Sequence, residues 1–184
     1  MASLYYAVFE TRLGWMSALA SSRGLRRTTL PMATPGRCVL PLNKEIAGAT
    51  FSSGTFLRLR EKLNRFFCGE PVIFDEPLDL EDAPPFFKAA WKACQSIPLG
   101  ETRSYRWLAS QAGRATASRA AGQAMARNRL PIIVPCHRVI GTDGSLCGFG
   151  SRARELELKQ ELLNIEAEAA KNLREKVALA LLKT

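Results

Sequence analysis

The feature that most limits how this chain can fold is an acidic, proline-containing segment near its middle, Asp75 to Pro85. Its aspartates and glutamates precede Pro84-Pro85, a composition typical of a connector between folded regions. A chain of 184 residues, of which 47% are hydrophobic, can bury two small cores. We therefore predict two domains, residues 1–80 and 84–184.

The first half of the chain predicts a small antiparallel sheet. Apolar and aromatic residues run from Leu4 to Glu10 and again from Trp15 to Ser21, and Leu13-Gly14 lies between them at a position typical of a hairpin turn. Arg23-Gly24 predicts a second turn, which leads into a strand over Leu25 to Leu30.

Helical spacing begins in the second half of this first domain. Apolar residues recur every three to four positions between Thr55 and Phe67, which predicts an amphipathic helix. Pro71 to Phe74 predicts one more strand, and Phe86 to Ile97 predicts the first helix of the second domain. The fold class expected from these patterns is an α/β domain followed by a mainly helical one.

Two further helices follow in close succession. Ser104 to Ala112 predicts a short helix with Ser104 as its cap, and Gly113 should end it. Thr116 or Ser118 can cap the next helix, which should run to about Asn128. Both a helix-turn-helix and an ordinary helical hairpin fit this spacing.

The second of these helices is rich in small residues: Ala120, Ala121, Gly122, Ala124 and Ala126. Small side chains let a neighbouring helix pack closely or let the helix backbone enter a narrow groove. Reading the DNA major groove would require longer polar side chains at these positions. The composition therefore favours the minor groove, where little base sequence can be read.

The last helix is predicted to start near Arg154 and to include Glu166. Beyond it, residues 168–184 predict an extra helix, in which Leu173, Val177 and Leu181 recur every four positions. This apolar face could pack on the body of the protein or meet another protein, and of the two we expect packing.

The net charge and the cysteine content indicate the class of binding partner and the cellular compartment. The net charge is +9 and the isoelectric point about 9.7, which favours nucleic acid as a partner, with a membrane surface second. Five cysteines without a close-spaced pair indicate a reducing compartment. The sequence has no C-x-x-C pair, so it does not indicate a structural zinc site. Met1 to Leu19 reads as neither a signal peptide nor a membrane span. We therefore expect a cytoplasmic, nucleoid-associated protein.

The chain's one histidine directly follows a cysteine, in the pair Cys136-His137. A thiol that loses its proton to an imidazole is a nucleophile. Adjacent side chains on a regular helix or strand diverge, so proton transfer within this pair needs an irregular backbone or a bridging water. From the dipeptide alone, a buried structural cysteine beside a hydrogen-bonded histidine remains an alternative.

The sequence around this pair resembles the O6-alkylguanine-DNA alkyltransferases, also called methylated-DNA–protein-cysteine methyltransferases. Arg119 to Asn128, Arg129 to Val134 and Pro135 to Ile140 carry the resemblance, which extends upstream to Gly100 to Ala109. Downstream it reaches Leu162, Leu163 and Glu166. The resemblance implies a ribonuclease-H-like first domain and a winged-helix-like helix-turn-helix in the second.

It also implies the reaction, a single, stoichiometric transfer of an alkyl group from O6 of guanine, and less readily from O4 of thymine, to Cys136. His137 is implied as the base, acting through a water molecule, and Glu166 as the residue that orients the imidazole. Tyr105 and Asn128 complete the implied catalytic set. Tyr105 matches the family's tyrosine that rotates the nucleotide and donates to the base, and Asn128 matches the asparagine that holds the turn before the active-site loop.

The implied DNA contacts lie on the two helices of the helix-turn-helix. Arg119 matches the finger that fills the stack after the damaged base is flipped out, a step that costs a few kcal/mol. The other implied DNA contacts are Tyr105, Ser104, Ala120, Ala121 and Gly122. The alkyl and base pocket is implied to contain Met125, Pro131, Val139, Phe149 and Gly150.

One loop departs from the family pattern. The family usually has a tyrosine where Phe149 stands, and paired glycines follow it, whereas Gly150 to Glu155 form a longer stretch here. Extra length loosens a loop at modest entropic cost, so we expect a more mobile pocket wall that accepts bulky adducts such as benzyl.

Three other classes of function were compared with this one. A non-catalytic binder of alkylated DNA would lack the cysteine, and a helix-turn-helix regulator would not need the Cys-His-Glu set. A Cys-His hydrolase is disfavoured because adjacent residues are poorly placed for direct proton transfer. The expected protein needs no metal and no organic cofactor. It binds double-stranded DNA as a monomer that can associate cooperatively, and it does not bind membranes.

Overall fold

The computed structural model describes residues 3–147 and 153–181. The chain forms two compact units. The first contains Met1–Phe67, Val72–Ala83 and Arg129–Ile133, and the second contains Cys68–Pro71, Pro84–Asn128 and Val134–Thr184. Within the first unit, the Thr28 amide donates to the Arg129 carbonyl at 2.9 Å, which holds this distant segment. The sequence-based limits, 1–80 and 84–184, do not include this exchange and stay a prediction.

A four-stranded sheet forms the centre of the first unit. Its strands are Leu4–Thr11 (β1), Gly14–Ser21 (β2), Gly24–Thr28 (β3) and Thr50–Phe51 (β4). They lie in the order β3-β2-β1-β4; β2 is antiparallel to both neighbours and β4 is parallel to β1. The predicted hairpin and third strand are therefore confirmed. Gly24 turns the chain with φ of 138°, and a Cβ there would lie 2.2 Å from the Pro77 carbonyl oxygen.

Helices cover this sheet. They are Pro35–Val39 (α1), Asn43–Ile46 (α2) and Leu57–Phe67 (α3). The helix predicted between Thr55 and Phe67 is confirmed, because Leu59, Leu63 and Phe66 form its buried face. Strand β2 lies between two other strands and is buried over most of its length, which explains its nearly continuous apolar sequence.

The strand predicted at Pro71 to Phe74 is wrong. These residues have no regular secondary structure, and Ile73 is 82% exposed. Pairing with β3 occurs later, at a single bridge between Leu25 and Leu78. It stays this short because Pro77 has no N–H to extend the ladder.

The acidic segment packs within the first unit as far as Ala83 and is not a free connector. Asp79 is buried and accepts hydrogen bonds from Ser21 at 2.6 Å and Arg26 at 2.9 Å. Burial raises the pKa of Asp79, but these two donors outweigh it and lower the pKa to about 2. The acids that suggested a linker therefore serve as partners of basic side chains.

The second unit is mainly helical. Its helices are Pro85–Gln95 (α4), Tyr105–Gln111 (α5), Ser118–Ala126 (α6) and Ala153–Leu181 (α7). Two short parallel strands, Arg103–Ser104 (β5) and Val139–Ile140 (β6), join the start of α5 to the active-site segment. The expected sheet-and-helix N-terminal part and helical C-terminal part are both confirmed.

The helix-turn-helix region follows the predicted order, with one correction. The Ser104 hydroxyl caps α5 by accepting from the Trp107 amide at 3.1 Å, and Gly113 turns the chain with φ of 82°. The predicted cap of α6 by Thr116 or Ser118 is wrong. Ala117 occupies the cap position, and Ser118 already lies inside the first turn.

Helix α7 is continuous over 29 residues, so residues after 168 extend it and do not form a separate helix. Leu173, Val177 and Leu181 are 43%, 52% and 71% exposed, so the expected packing of this face is wrong. Their i, i+4 spacing places them on one face of α7 without making that face part of the core. Within residues 3–147 and 153–181, no helix has both the length and the apolarity needed to cross a membrane.

Candidate active site

The Cys136-His137 pair lies in an irregular segment, as its chemistry requires. Cys136 to Arg138 form a 3₁₀ turn between Pro135 and β6. The Cys136 amide donates to the Val134 carbonyl at 2.7 Å, and the Arg138 amide donates to the Pro135 carbonyl at 2.9 Å. The turn buries both side chains, since Cys136 is 5% exposed and His137 is fully buried.

Glu166 of α7 reaches the histidine. His137 Nε2 and Glu166 Oε1 are 2.7 Å apart, and both residues are completely buried. This pairing engages Nε2 of the imidazole ring. The resemblance-based pairing of His137 with Glu166 therefore has a direct geometric counterpart.

Arg138 binds the same carboxylate, and sequence reasoning assigned it no role. Its Nε lies 2.8 Å from Glu166 Oε2, and its Nη2 lies 2.9 Å from Oε1. Its Nη1 also donates to the Ile97 carbonyl at 2.5 Å. Burial raises the pKa of Glu166, but hydrogen bonds and charge from His137 and Arg138 lower it to about 2. Glu166 is therefore a carboxylate at neutral pH.

Asn128 contacts the Cys136 sulfur directly. Its side-chain amide donates to Cys136 Sγ at 3.1 Å and to the Val134 carbonyl at 2.9 Å. Burial raises the pKa of the Cys136 thiol, while the Asn128 hydrogen bond and the positive charge of Lys159 oppose that rise. Burial likewise lowers the pKa of His137, and Glu166 opposes it. The rest of the site thus counteracts part of the cost of burying these two groups.

Tyr105 is the first residue of α5 and directly follows β5, which pairs with Val139 and Ile140 after the Cys136 turn. Its hydroxyl donates to the Cys147 carbonyl at 2.8 Å, and burial raises its pKa above the ordinary value. The phenol is therefore protonated at neutral pH and can donate a hydrogen bond.

The predicted DNA-contacting residues divide by exposure. Arg119 is exposed in the first turn of α6, whereas Ala121 is buried against the helical core. In that core, Trp91 Nε1 of α4 donates to the Ala124 carbonyl at 2.9 Å. Ala120 and Gly122 are partly exposed, and a Cβ on Gly122 would lie 4.0 Å from the Tyr105 ring. On one side of α6, the small residues thus allow close packing against the neighbouring helices. On the other side, they leave the helix backbone covered by little side-chain bulk.

The predicted pocket residues are only partly described. Met125 is 3% exposed and Val139 is fully buried, both in the second unit. Pro131 belongs to the first unit, where its carbonyl accepts from the Thr28 hydroxyl at 3.2 Å. Phe149, Gly150 and the longer loop lie outside the described residues. Their assignment to the pocket stays a prediction.

Known proteins resemble this chain over most of its length. The family model for the 6-O-methylguanine DNA methyltransferase DNA-binding domain matches residues 85–168. The methylated-DNA–protein-cysteine methyltransferase of Methanosarcina acetivorans is 37% identical over 164 residues, which is 89% of this chain and 98% of that protein. The enzyme of the same name from Mycolicibacterium paratuberculosis is 44% identical over 119 residues, 65% of this chain and 70% of that protein.

A solved structure extends the likeness to three dimensions. The crystal structure of Mycobacterium tuberculosis OGT in complex with DNA superposes with a TM-score of 0.75 at 34% identity, covering 90% of this chain and 94% of that one. Since the archaeal relative is matched across almost its whole length and the matched region contains the Cys136, His137 and Glu166 site, this chain belongs to the methylated-DNA–protein-cysteine methyltransferase family.

Proposed function

We propose that this protein repairs DNA by moving the alkyl group of O6-alkylguanine, and less readily that of O4-alkylthymine, onto its own Cys136. The observation that carries the proposal is the buried arrangement in which Asn128 donates to Cys136 Sγ while His137 pairs with Glu166. Membership of the methyltransferase family supports the same reaction.

The chemistry is a displacement at the alkyl carbon. The Cys136 thiol gives its proton to His137 Nδ1 through a water molecule, and Glu166 holds the resulting imidazolium through Nε2. A sulfur–carbon bond then forms as the carbon–O6 bond breaks, and that electron pair stays with the guanine. Tyr105 turns its O–H from the Cys147 carbonyl to the departing guanine and donates to it. The one proton that restores neutral guanine balances the one that the thiol gave to His137. The thioether has no route back to a thiol, so each molecule reacts once and needs no metal or organic cofactor.

The target base must leave the duplex to reach a buried sulfur. We propose that α6 enters the minor groove, that Tyr105 crowds the phosphate beside the lesion, and that exposed Arg119 takes the place of the flipped nucleotide. Ser104 and the partly exposed Ala120 and Gly122 would lie against the backbone, with Ala121 supporting them from the core.

The finer fold assignment is part of the same proposal. A ribonuclease-H-like first domain is supported by the antiparallel β1–β3 strands joined by a parallel β4. A winged-helix-like second domain is supported by α5, α6 and the small β5–β6 pair. We expect a monomer that can bind DNA cooperatively.

Methyl transfer can be measured directly. Incubation with an oligonucleotide containing O6-methylguanine should add one methyl group per protein molecule, located on Cys136 by peptide mapping. A Cys68→Ser variant, in which an exposed thiol other than Cys136 is removed, should accept the methyl equally well. An unmethylated oligonucleotide should give no methyl transfer. Methyl on another residue, or many turnovers per molecule, would contradict the proposal.

DNA binding should depend steeply on salt and weakly on base sequence. Exposed arginines lie on or next to α5 and α6: Arg106, Arg114, Arg119 and Arg127. Each phosphate that such a side chain neutralises contributes about 0.9 to the slope of log affinity against log salt. Replacing Arg114 and Arg127 by alanine should therefore lower the slope by roughly 2, while Arg60→Ala on α3 of the first unit should leave it unchanged. Strong preference for one operator-like sequence would favour a regulator.

A further inference from the structure

Two adjacent phenylalanines lie in the first turn of α4. Phe86 and Phe87 follow Pro85, the first residue of the helix, and both are partly exposed. Ala90 and Trp91, one turn further on, are buried. Because adjacent residues on a helix diverge by about 100°, the two rings face different neighbours.

Each ring contacts one arginine. The guanidinium carbon of Arg114 lies over the Phe86 ring, 5.4 Å from its centre, and that of Arg127 lies over the Phe87 ring, 5.9 Å from its centre. A cation at such a distance is attracted by the electrons of the aromatic face. Arg114 lies in the turn before α6 and Arg127 directly follows α6. The start of α4 therefore contacts the residues at both ends of that helix.

The backbone of both arginines is fixed by hydrogen bonds. The Arg114 amide donates to the Ala109 carbonyl at 2.9 Å, and the Arg127 amide donates to the Gln123 carbonyl at 3.0 Å. Both side chains are exposed. A long side chain that becomes ordered only on binding loses rotamer entropy, which weakens the complex. The ring contacts remove part of this loss in advance.

An aromatic ring holds a guanidinium without neutralising it. Arg103 of the same unit shows the alternative, because it lies 5.7 Å from the centre of the Trp107 ring but also binds the Glu101 carboxylate at 2.6 Å. Among the residues that the structure describes, neither Arg114 nor Arg127 pairs with a carboxylate. Their charge and their N–H donors are therefore available for an anion such as a phosphate.

The Phe87 ring is itself held by the helical core. Its centre lies 6.0 Å from that of the Trp91 ring, and the two ring planes are inclined by 56°. Trp91 Nε1 donates to the Ala124 carbonyl of α6. A continuous series of contacts thus runs from Arg127 through Phe87 and Trp91 back to α6. It fixes the place of this guanidinium relative to the helix.

We propose that Phe86 and Phe87 are positioning residues for DNA binding, which hold the guanidiniums of Arg114 and Arg127 at the two ends of α6 for contact with backbone phosphates. The proposal rests on the function proposed above, because it assigns both arginines to the same DNA. The rings contribute to affinity and leave the number of neutralised phosphates unchanged. Contacts of this kind set the position of the protein on the duplex and read no base sequence.

The test is a double-mutant cycle on the affinity for an unmodified DNA duplex, measured by fluorescence anisotropy at one salt concentration. Phe87→Leu keeps an apolar side chain but removes the ring, and it should weaken binding about three- to tenfold. In an Arg127→Ala background the same substitution should have almost no further effect, because the side chain that the ring positions is gone. Phe87→Tyr keeps the aromatic face and should bind like the wild type.

Phe86 and Arg114 provide the matched control in the same helix. Phe86→Leu should couple with Arg114→Ala and act independently of Arg127→Ala, whereas Phe87→Leu should show the opposite pattern. Rings with a purely structural role would weaken binding by the same factor in every arginine background, and that result would overturn the proposal. A Phe87→Tyr protein that binds no better than Phe87→Leu would overturn it as well.

Near-UV circular dichroism shows whether each variant is folded. If Phe87→Leu does not fold, Phe87→Met replaces it, since methionine is also apolar and has no ring. The duplex carries no alkyl group, so the result does not depend on alkyl transfer. Coupling between Phe87 and Arg127 in a protein that takes no methyl from DNA would support the positioning residues and refute the proposed function. Methyl transfer to Cys136 without such coupling would refute the positioning residues alone.

Discussion

Glu166→Gln is expected to slow alkylation of Cys136 by up to about 10²- to 10⁴-fold, the usual contribution of a positioned general base, because His137 would lose the carboxylate that holds it as the proton acceptor. Glutamine cannot stabilise the imidazolium that forms when His137 takes the thiol proton. The pH profile of alkylation should therefore move to higher pH. Single-turnover rates with free O6-benzylguanine across the pH range measure both effects without the complication of DNA binding.

The same substitution should also cost stability, because it leaves the mostly buried Arg138 guanidinium without its carboxylate. Breaking a buried ion pair from one side typically costs about 3–5 kcal/mol. Folding lowers the pKa of Glu166 from the usual 4.5 to about 2. Its stabilising contribution is therefore complete above about pH 4.5 and is lost as the pH falls toward 2. Denaturant unfolding should show a larger loss over this window in the wild type than in Glu166→Gln.

Glu168→Gln is the matched control, since Glu168 is exposed on the same helix two residues further on. It should leave both the pH profile and the stability close to those of the wild type. An alkylation profile that stays in place in folded Glu166→Gln would show that the proton of Cys136 leaves by another route.

Arg119→Ala should slow repair of duplex DNA by raising its activation free energy by about 1–3 kcal/mol. This is the scale of the unstacking cost that the side chain offsets. It should hardly affect reaction with free O6-benzylguanine, because the free base needs no extrusion. Arg119 is exposed and far along the chain from the buried Cys136 turn, so its loss should not unfold the protein. Paired rate measurements on the two substrates provide the comparison.

Arg60→Ala removes the same charge from an exposed position on α3 and controls for the general loss of attraction to DNA. If Arg119→Ala slowed both substrates equally, Arg119 would act on the chemistry and not on base flipping.

Local rules predicted the elements whose cause is local. Ser104 caps α5 because its hydroxyl reaches the amide three residues on, and Gly113 ends the turn because glycine accepts a positive φ. The spacing of Leu59, Leu63 and Phe66 defines a helix face within eight residues. In such cases the partners are neighbours in sequence.

Contacts between distant residues were not predictable in this way. Arg138 lies 28 positions before Glu166, and no periodicity indicates that a guanidinium shares the carboxylate with the imidazole. The same holds for Lys159, whose Nζ donates to the Val139 carbonyl at 2.7 Å although the two residues are 20 positions apart. Ile132 is a stronger case: this buried β-branched residue has φ of 77°, a conformation that costs about 1–3 kcal/mol and that only the surrounding fold can impose.

The positions of the tryptophans allow the two units to be observed separately by fluorescence. The chain contains three tryptophans; Trp15 lies in the first unit, whereas Trp91 and Trp107 lie in the second. Trp91 donates its indole N–H to the α6 carbonyl of Ala124, so its emission should respond when that helix separates from α4. A protein that keeps Trp15 alone and one that keeps Trp91 alone would give two independent optical signals. Coincident or separate thermal transitions of these signals would show whether the two units unfold as one cooperative system.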